Sequence, residues 1–111
     1  METIRQQRVQ SLILQELGEF LRKQTPEWFP GMMITVTKVN ITKDLSVAKV
    51  YISIFGSQDQ NIILKIIKDH SKEIRYQLGL KIGKQLRIVP ELSYFIDDSL
   101  DYLENIDRLL K

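Results

Sequence analysis

The side chains best placed to do chemistry in this chain are cations. Lys65, Lys68, Lys72 and Arg75 recur at spacings of three and four, so one face of a helix can present all of them. Lys81, Lys84 and Arg87 continue the run. Residues 65–90 hold seven basic and two acidic side chains. Residues 1–64 hold seven and six, and residues 91–111 hold two and six. The formal net charge of +2 therefore hides a basic block followed by an acidic end. A basic block of this kind suits the neutralisation of phosphates and points towards nucleic acid. With six phosphates contacted, log K would fall against log salt with a slope of about −5. The plainer reading is a pair of solvated helix faces, which charge alone does not distinguish.

Other chemistries find little support. The single histidine, His70, sits on the apolar side of a helical pattern and reads as a buried or hinge residue rather than a catalytic base. Asp97 and Asp98 could act as paired carboxylates, but adjacent aspartates before a helix more often serve as caps. One histidine and scattered carboxylates give no metal-ligand spacing. Gly79-Leu80-Lys81-Ile82-Gly83 fits neither a phosphate loop nor a dinucleotide fingerprint. No cysteine is present, which removes disulfides, thiolate zinc sites and cysteine nucleophiles, and fits a reducing compartment. The apolar runs fall far short of the roughly 20 residues that span a bilayer, and the opening lacks a signal-peptide core. With 111 residues, 43% of them hydrophobic, the chain has the size and composition of one soluble, cytosolic domain, residues 1–111.

The elements that must position these cations can be read from periodicity. Val9, Leu12, Ile13, Leu17, Phe20 and Leu21 predict a helix from Thr3 to Lys23, with Thr3 and Gln6 as a capping box. Arg5 and Arg8 share a face near its start. Residues 24–33, with two prolines and a glycine, read as a loop. In it Trp28 and Phe29 could stack on bases, though such aromatics more often fold back as a lid on the core. A β-branched strand covers residues 34–41, where Ile34 and Val36 have one parity and Val39 and Ile41 the other. A β-bulge near Lys38 would reconcile them. After a turn at residues 42–46, the strand Val47–Phe55 alternates, with Ala48, Val50, Ile52 and Ile54 inward and Lys49, Tyr51 and Ser53 outward. Two helices follow, Asp59–Asp69 and Lys72–Leu86, with a break at His70-Ser71. Pro90 opens a strand over residues 91–96, with Leu92, Tyr94 and Ile96 facing inward. Asp97, Asp98 and Ser99 then cap a short C-terminal helix carrying Leu100, Leu103, Ile106 and Leu110. Three strands packed by helices on one face make an α+β fold.

Particular segments carry a family likeness. They are Arg5-Gln6-Gln7-Arg8-Val9; Val36-Thr37-Lys38-Val39 leading into Asp44-Leu45-Ser46-Val47-Ala48-Lys49-Val50-Tyr51; and Leu86-Arg87-Ile88-Val89-Pro90-Glu91-Leu92 followed by Phe95 and Asp97-Asp98-Ser99-Leu100. In this order they span nearly the whole chain, which resembles the ribosome-binding factor A family. The resemblance implies a type II KH-like fold, α-β-β-α-α-β, in which an interrupted Ala-x-Gly kink replaces the usual GXXG loop. His70-Ser71-Lys72 occupy the matching positions without the alanine or the glycine. The resemblance further implies a monomeric cytoplasmic protein without cofactor or reaction. It would bind 16S ribosomal RNA near its 5′ end on the immature small (30S) subunit, alongside other assembly factors, and assist late maturation, most of all in the cold. The expected RNA contacts are Arg5 and Arg8, Lys72, Arg75, Lys81, Lys84 and Arg87, with Lys43 and Lys49 secondary. Two other readings stand beside this one. The first is a general KH-like RNA binder, and the second is a protein-interaction adaptor working through the acidic surface from Asp97 to Asp107.

Overall fold

A computed structural model describes residues 2–56, 59–86 and 88–97. Helix α1 spans Ile4–Trp28, strands β1 and β2 span Met33–Ile41 and Val47–Phe55, helices α2 and α3 span Gln60–Asp69 and Ser71–Ile82, and β3 spans Glu91–Ile96. The order is α-β-β-α-α-β, as expected. The sheet runs β1-β2-β3, with β1 antiparallel and β3 parallel to the central β2. The parallel pairing requires a crossover, which α2 and α3 provide. The C-terminal helix expected after Asp97 lies outside the described residues.

The hairpin follows its hydrophobic pattern closely. Ala48, Val50 and Ile52 are fully buried and Ile54 nearly so. Opposite them, Ile34 and Val36 pair with Ile54 and Ile52, and the register then shifts between Val36 and Lys38. That bulge turns Val39 and Ile41 to the same buried face. The turn is closed by Asp44, whose carboxylate accepts from the Thr42 hydroxyl and from the Ser46 hydroxyl and amide. These bonds hold the Asp44 carboxyl down at about 2, well below its usual 3.8. The next residue, Leu45, sits at φ 63°, a left-handed conformation uncommon for a branched side chain. Its amide donates to the Thr42 carbonyl and its side chain packs against the core.

Helix α1 lies on the buried face of the sheet through Val9, Ile13, Leu17 and Leu21. Its N-terminus carries the expected capping box, with Thr3 and Gln6 bonded reciprocally. Two glutamines fasten it to the end of β1. Gln6 Nε2 donates to the Ile41 carbonyl at 3.2 Å, and Gln10 Oε1 accepts from the Ile41 amide at 2.9 Å. The helix does not stop at Lys23. It continues through Pro26 to Trp28, so the loop expected over residues 24–33 starts five residues later. Proline within a helix costs roughly 3 kcal/mol. Here the last turn is held by burial of Thr25 and Phe29 and by packing of Trp28. The Phe29 amide still finds the Thr25 carbonyl, at 2.7 Å.

The break between α2 and α3 falls on His70, at φ −90° and ψ 10°. Asp59 caps α2 with its carboxylate, accepting from the amides of Asn61 and Ile62. Trp28 lies flat on the His70 ring, centroids 4.0 Å apart at 12°, and Phe20 meets Trp28 edge-on at 5.9 Å. Trp28 is thus a lid, and specifically a tie between the end of α1 and the interhelical break. Ile74, Leu78 and Ile82 line the inner side of α3. The helix ends at Ile82, four residues before the expected Leu86. Gly83 follows, and the amides of Gln85 and Leu86 both donate to the Ile82 carbonyl in a tight exit turn.

Candidate nucleic-acid interface

The structure distributes the expected cations over several surfaces. Arg5 and Arg8 are both exposed at the start of α1. With Leu12, Gln15, Gln85 and Leu86 they line a shallow depression between α1 and the segment leaving α3. Lys84 is exposed in that same segment. A second cavity, of about 440 Å³, joins the start of α1 to the hairpin turn and the approach to β3. Arg5, Leu45, Arg75, Leu86, Ile88 and Val89 line it, with Asp44 and Glu91 also on its wall. Arg5 is common to both depressions and so joins Arg8 in the first to Arg75 in the second, while Lys84 lies in the segment that borders the first.

Others are not gathered there. Lys81 faces the seam between α3 and the middle of α1, beside Glu16, Glu19 and Lys23. Lys49 lies on the open face of the sheet, opposite the helices, and is paired in register with Asn40 and Ser93. Lys43 is exposed on the hairpin turn. Arg87 lies outside the described residues. The stripe from Lys65 to Arg75 is exposed throughout, but it does not run along one helix. His70 divides it into Lys65 and Lys68 on α2 and Lys72 and Arg75 on α3, so the three-and-four spacing stops being a guide at the break.

Most of these cations are unengaged. Among the described residues the only contact between a basic and an acidic side chain is that of His70 with Glu73, at 3.5 Å between Nδ1 and Oε2. Arg75 is different, because its Nη2 donates to the Val89 carbonyl at 2.7 Å. That bond spends part of the guanidinium on holding the strand approach against α3. His70 itself is about one-third exposed and stacked under Trp28, which makes it a hinge residue. Asp97 accepts from the Thr37 hydroxyl and its amide continues the ladder to Ile52, so it belongs to the end of β3. Among the described residues no group of three or more histidine or carboxylate side chains could hold a metal, and no helix is long and apolar enough to cross a membrane.

The sequence reading overlooked the apolar side chains on the outside. Tyr76 and Leu80 on α3, and Ile88 beyond it, are exposed by 65%, 64% and 74%. Their signal was present: Tyr76 and Leu80 fall opposite the row Ile74, Leu78, Ile82 at 3.6 residues per turn.

A three-stranded sheet covered on one side by three helices in this order, with an interrupted α2–α3 pair, defines a KH-like fold. Residues 5–110 match the family model described as ribosome-binding factor A. A ribosome-binding factor A from Cytophaga hutchinsonii is 46% identical over 110 residues, covering 99% of this chain and 83% of its relative. The chain belongs to the ribosome-binding factor A family. The fold agrees with the crystal structure of that factor from Thermus thermophilus, with a TM-score of 0.68 at 21% identity over 82% of this chain and 94% of the other. It also agrees with Thermus thermophilus ribosome-binding factor A as fitted into the cryo-EM map of a 30S complex (TM-score 0.64, 21% identity, 80% and 91% covered).

Proposed function

We propose that the chain is a cytoplasmic assembly factor that binds 16S ribosomal RNA on the immature small subunit and assists late maturation, with its largest effect in the cold. The observation that carries this reading is the gathering of Arg5, Arg8, Arg75 and Lys84 around the start of α1 and the exit of α3, in a chain of the ribosome-binding factor A family. Support comes also from the Thermus thermophilus relative, which was fitted into a 30S complex.

The mechanism needs no chemical step by the protein. Cations dock on phosphates and release counterions, which gives affinity that falls steeply with salt. A docked monomer then shifts the RNA between conformations only by its differential affinity for them. Lys72 and Lys43 extend the docking surface on the flanks. Lys49 and Lys81 are weaker candidates, the first on the opposite face of the sheet and the second beside two glutamates.

The test is sedimentation with purified precursor and mature small subunits at two salt concentrations. Wild-type protein should travel with the precursor subunit at low salt and be released at high salt. Arg5→Glu, Arg8→Glu and Lys84→Glu together should abolish co-sedimentation without changing the far-UV circular dichroism spectrum. Undiminished binding by the triple variant would remove the basic surface from the mechanism.

A further inference from the structure

The outer side of α3 presents a surface that folding alone does not require. A helix packed on a sheet needs one apolar side, and Ile74, Leu78 and Ile82 supply it. Tyr76 and Leu80 nevertheless occupy the most outward positions, with about two-thirds of each exposed. Lys72 lies one turn before Tyr76 in the same row. Together with Arg75, Gly79 and Val89 these side chains line an open cavity of about 430 Å³ whose surface is mostly apolar.

The detail of this cavity narrows the occupant. Its floor includes Gly79, on which Val89 packs so closely that a Cβ there would come within 3.2 Å of Val89 Cγ2. Among the described residues its rim carries two cations, Lys72 and Arg75, and no carboxylate. The acidic residue within α3, Glu73, is drawn to His70 instead. The Arg75 bond to the Val89 carbonyl fixes the wall opposite the helix. An exposed aromatic face beside two cations complements a ligand that joins flat rings to negative charge. Unpaired nucleotides are such a ligand, since every base offers a π-face and every linkage a phosphate. A base-paired duplex hides its faces and offers only the charge.

We infer that Tyr76 is a stacking platform for an unpaired RNA base, with Leu80 beside the ring and Lys72 on the adjoining phosphate. The inference rests on the RNA-binding reading above and adds to it a preference for single-stranded over duplex RNA. Tyr76 is exposed, so its replacement leaves the fold intact.

The experiment uses the full chain, with fluorescence anisotropy of a labelled single-stranded adenosine oligomer and of a duplex RNA of equal length. Tyr76→Ala should weaken single-strand binding about tenfold or more and leave duplex binding unchanged. Tyr76→Phe and Tyr76→Trp should restore it, because they keep the ring. Lys72→Ala should weaken both and reduce the magnitude of the salt slope by about one. Wild-type binding that Tyr76→Ala does not alter would overturn the platform and leave the basic-surface reading standing. Loss of small-subunit binding by Tyr76→Ala, with oligomer binding intact, would mean that a protein occupies the patch, and would also overturn it. Wild-type protein that binds neither oligomer, duplex nor small subunit would remove both readings together.

Discussion

Helices α1 and α3 pack on the same sheet and are built by different rules. In α1 the buried row Gln6, Val9, Ile13, Leu17, Leu21 and Thr25 sets the apolar side that faces the sheet. Leu12, Leu14 and Phe20 flank that row and pack against the core, and Ile4 at the first turn is the exposed exception. In α3 the inner row is as fully buried, yet Tyr76 and Leu80 face away from it. Every apolar residue in the body of α1 is explained by the core, whereas α3 carries two that stability does not explain. Burying a large side chain stabilises by about 1.5–3 kcal/mol, so leaving two outside forgoes a gain that a partner can recover.

The largest effect should fall on the inner rows, and equally on both helices. Leu17→Ala and Ile74→Ala each empty a fully buried site and should cost about 2–5 kcal/mol in urea unfolding. Tyr76→Ala should change stability by no more than about 0.5 kcal/mol. A large loss from Tyr76→Ala would end the contrast, since it would place that ring in the packed structure. Equal and large effects at the two buried sites would confirm that the helices differ only on their outer sides.

A smaller effect should come from the contact that joins them. Trp28→Ala removes an aromatic stack on His70 and an edge contact with Phe20, together worth about 1–3 kcal/mol. Its local signature is sharper than its cost. Amide hydrogen exchange should rise most in the first turn of α3, from His70 to Ile74, because Trp28 is what α1 contributes to the break. Exchange that rises uniformly would show instead that Trp28 serves the core as a whole.

How much of this was legible in the sequence depends on whether local pattern or long-range contact decides the outcome. The bulge near Lys38 follows from parity alone, because a single extra residue must reconcile Ile34 and Val36 with Val39 and Ile41. The break at His70 was visible from length and from the serine that follows. The passage of α1 through Pro26 was not, since the contacts that offset the proline come from Thr25, Trp28, Phe29 and a histidine 42 residues away. The cations show the same division. Their types and their abundance in residues 65–90 are plain in the sequence. Their surfaces are not, because helical spacing cannot carry a stripe across a break and because Arg75 spends a bond on Val89. Tyr76 is readable as an outward residue from its place opposite Ile74 and Leu78, but the cavity beside it is not, because Val89 completes it from beyond the helix.

The hold of α1 on the hairpin can be weakened by acid. Asp44 closes the turn that follows Ile41, the residue gripped by Gln6 and Gln10. Its carboxyl is lowered to about 2 from 3.8 by bonds from Ser46 and Thr42. The charged form is thus favoured in the folded chain, and its contribution is complete above about pH 4 and lost as the pH falls towards 2. Asp44→Asn should flatten the acid limb of thermal stability in that window. At the other extreme, burial pushes the Tyr94 phenol up to about 12, so the unfolded chain loses that proton first and stability should decline between about pH 10 and 12. Tyr94→Phe should remove that alkaline decline.

The smallest change in stability belongs to Gly79, where two effects of opposite sign meet. Alanine in place of a helical glycine gains about 0.8–1 kcal/mol from backbone entropy. Its Cβ would meet Val89 Cγ2 at 3.2 Å, close enough that the valine must give way. Val89 is half-buried, and its carbonyl is held by Arg75, so its side chain can turn more readily than its backbone can shift. The two terms should nearly cancel, leaving Gly79→Ala within about 0.5 kcal/mol of the wild type. The same methyl rises from the floor of the cavity beside Tyr76 and Leu80. A variant of unchanged stability that loses single-stranded RNA binding would therefore separate the outer side of α3 from its inner side at a single residue. One that loses stability while keeping that binding would return the glycine to the packing of the fold.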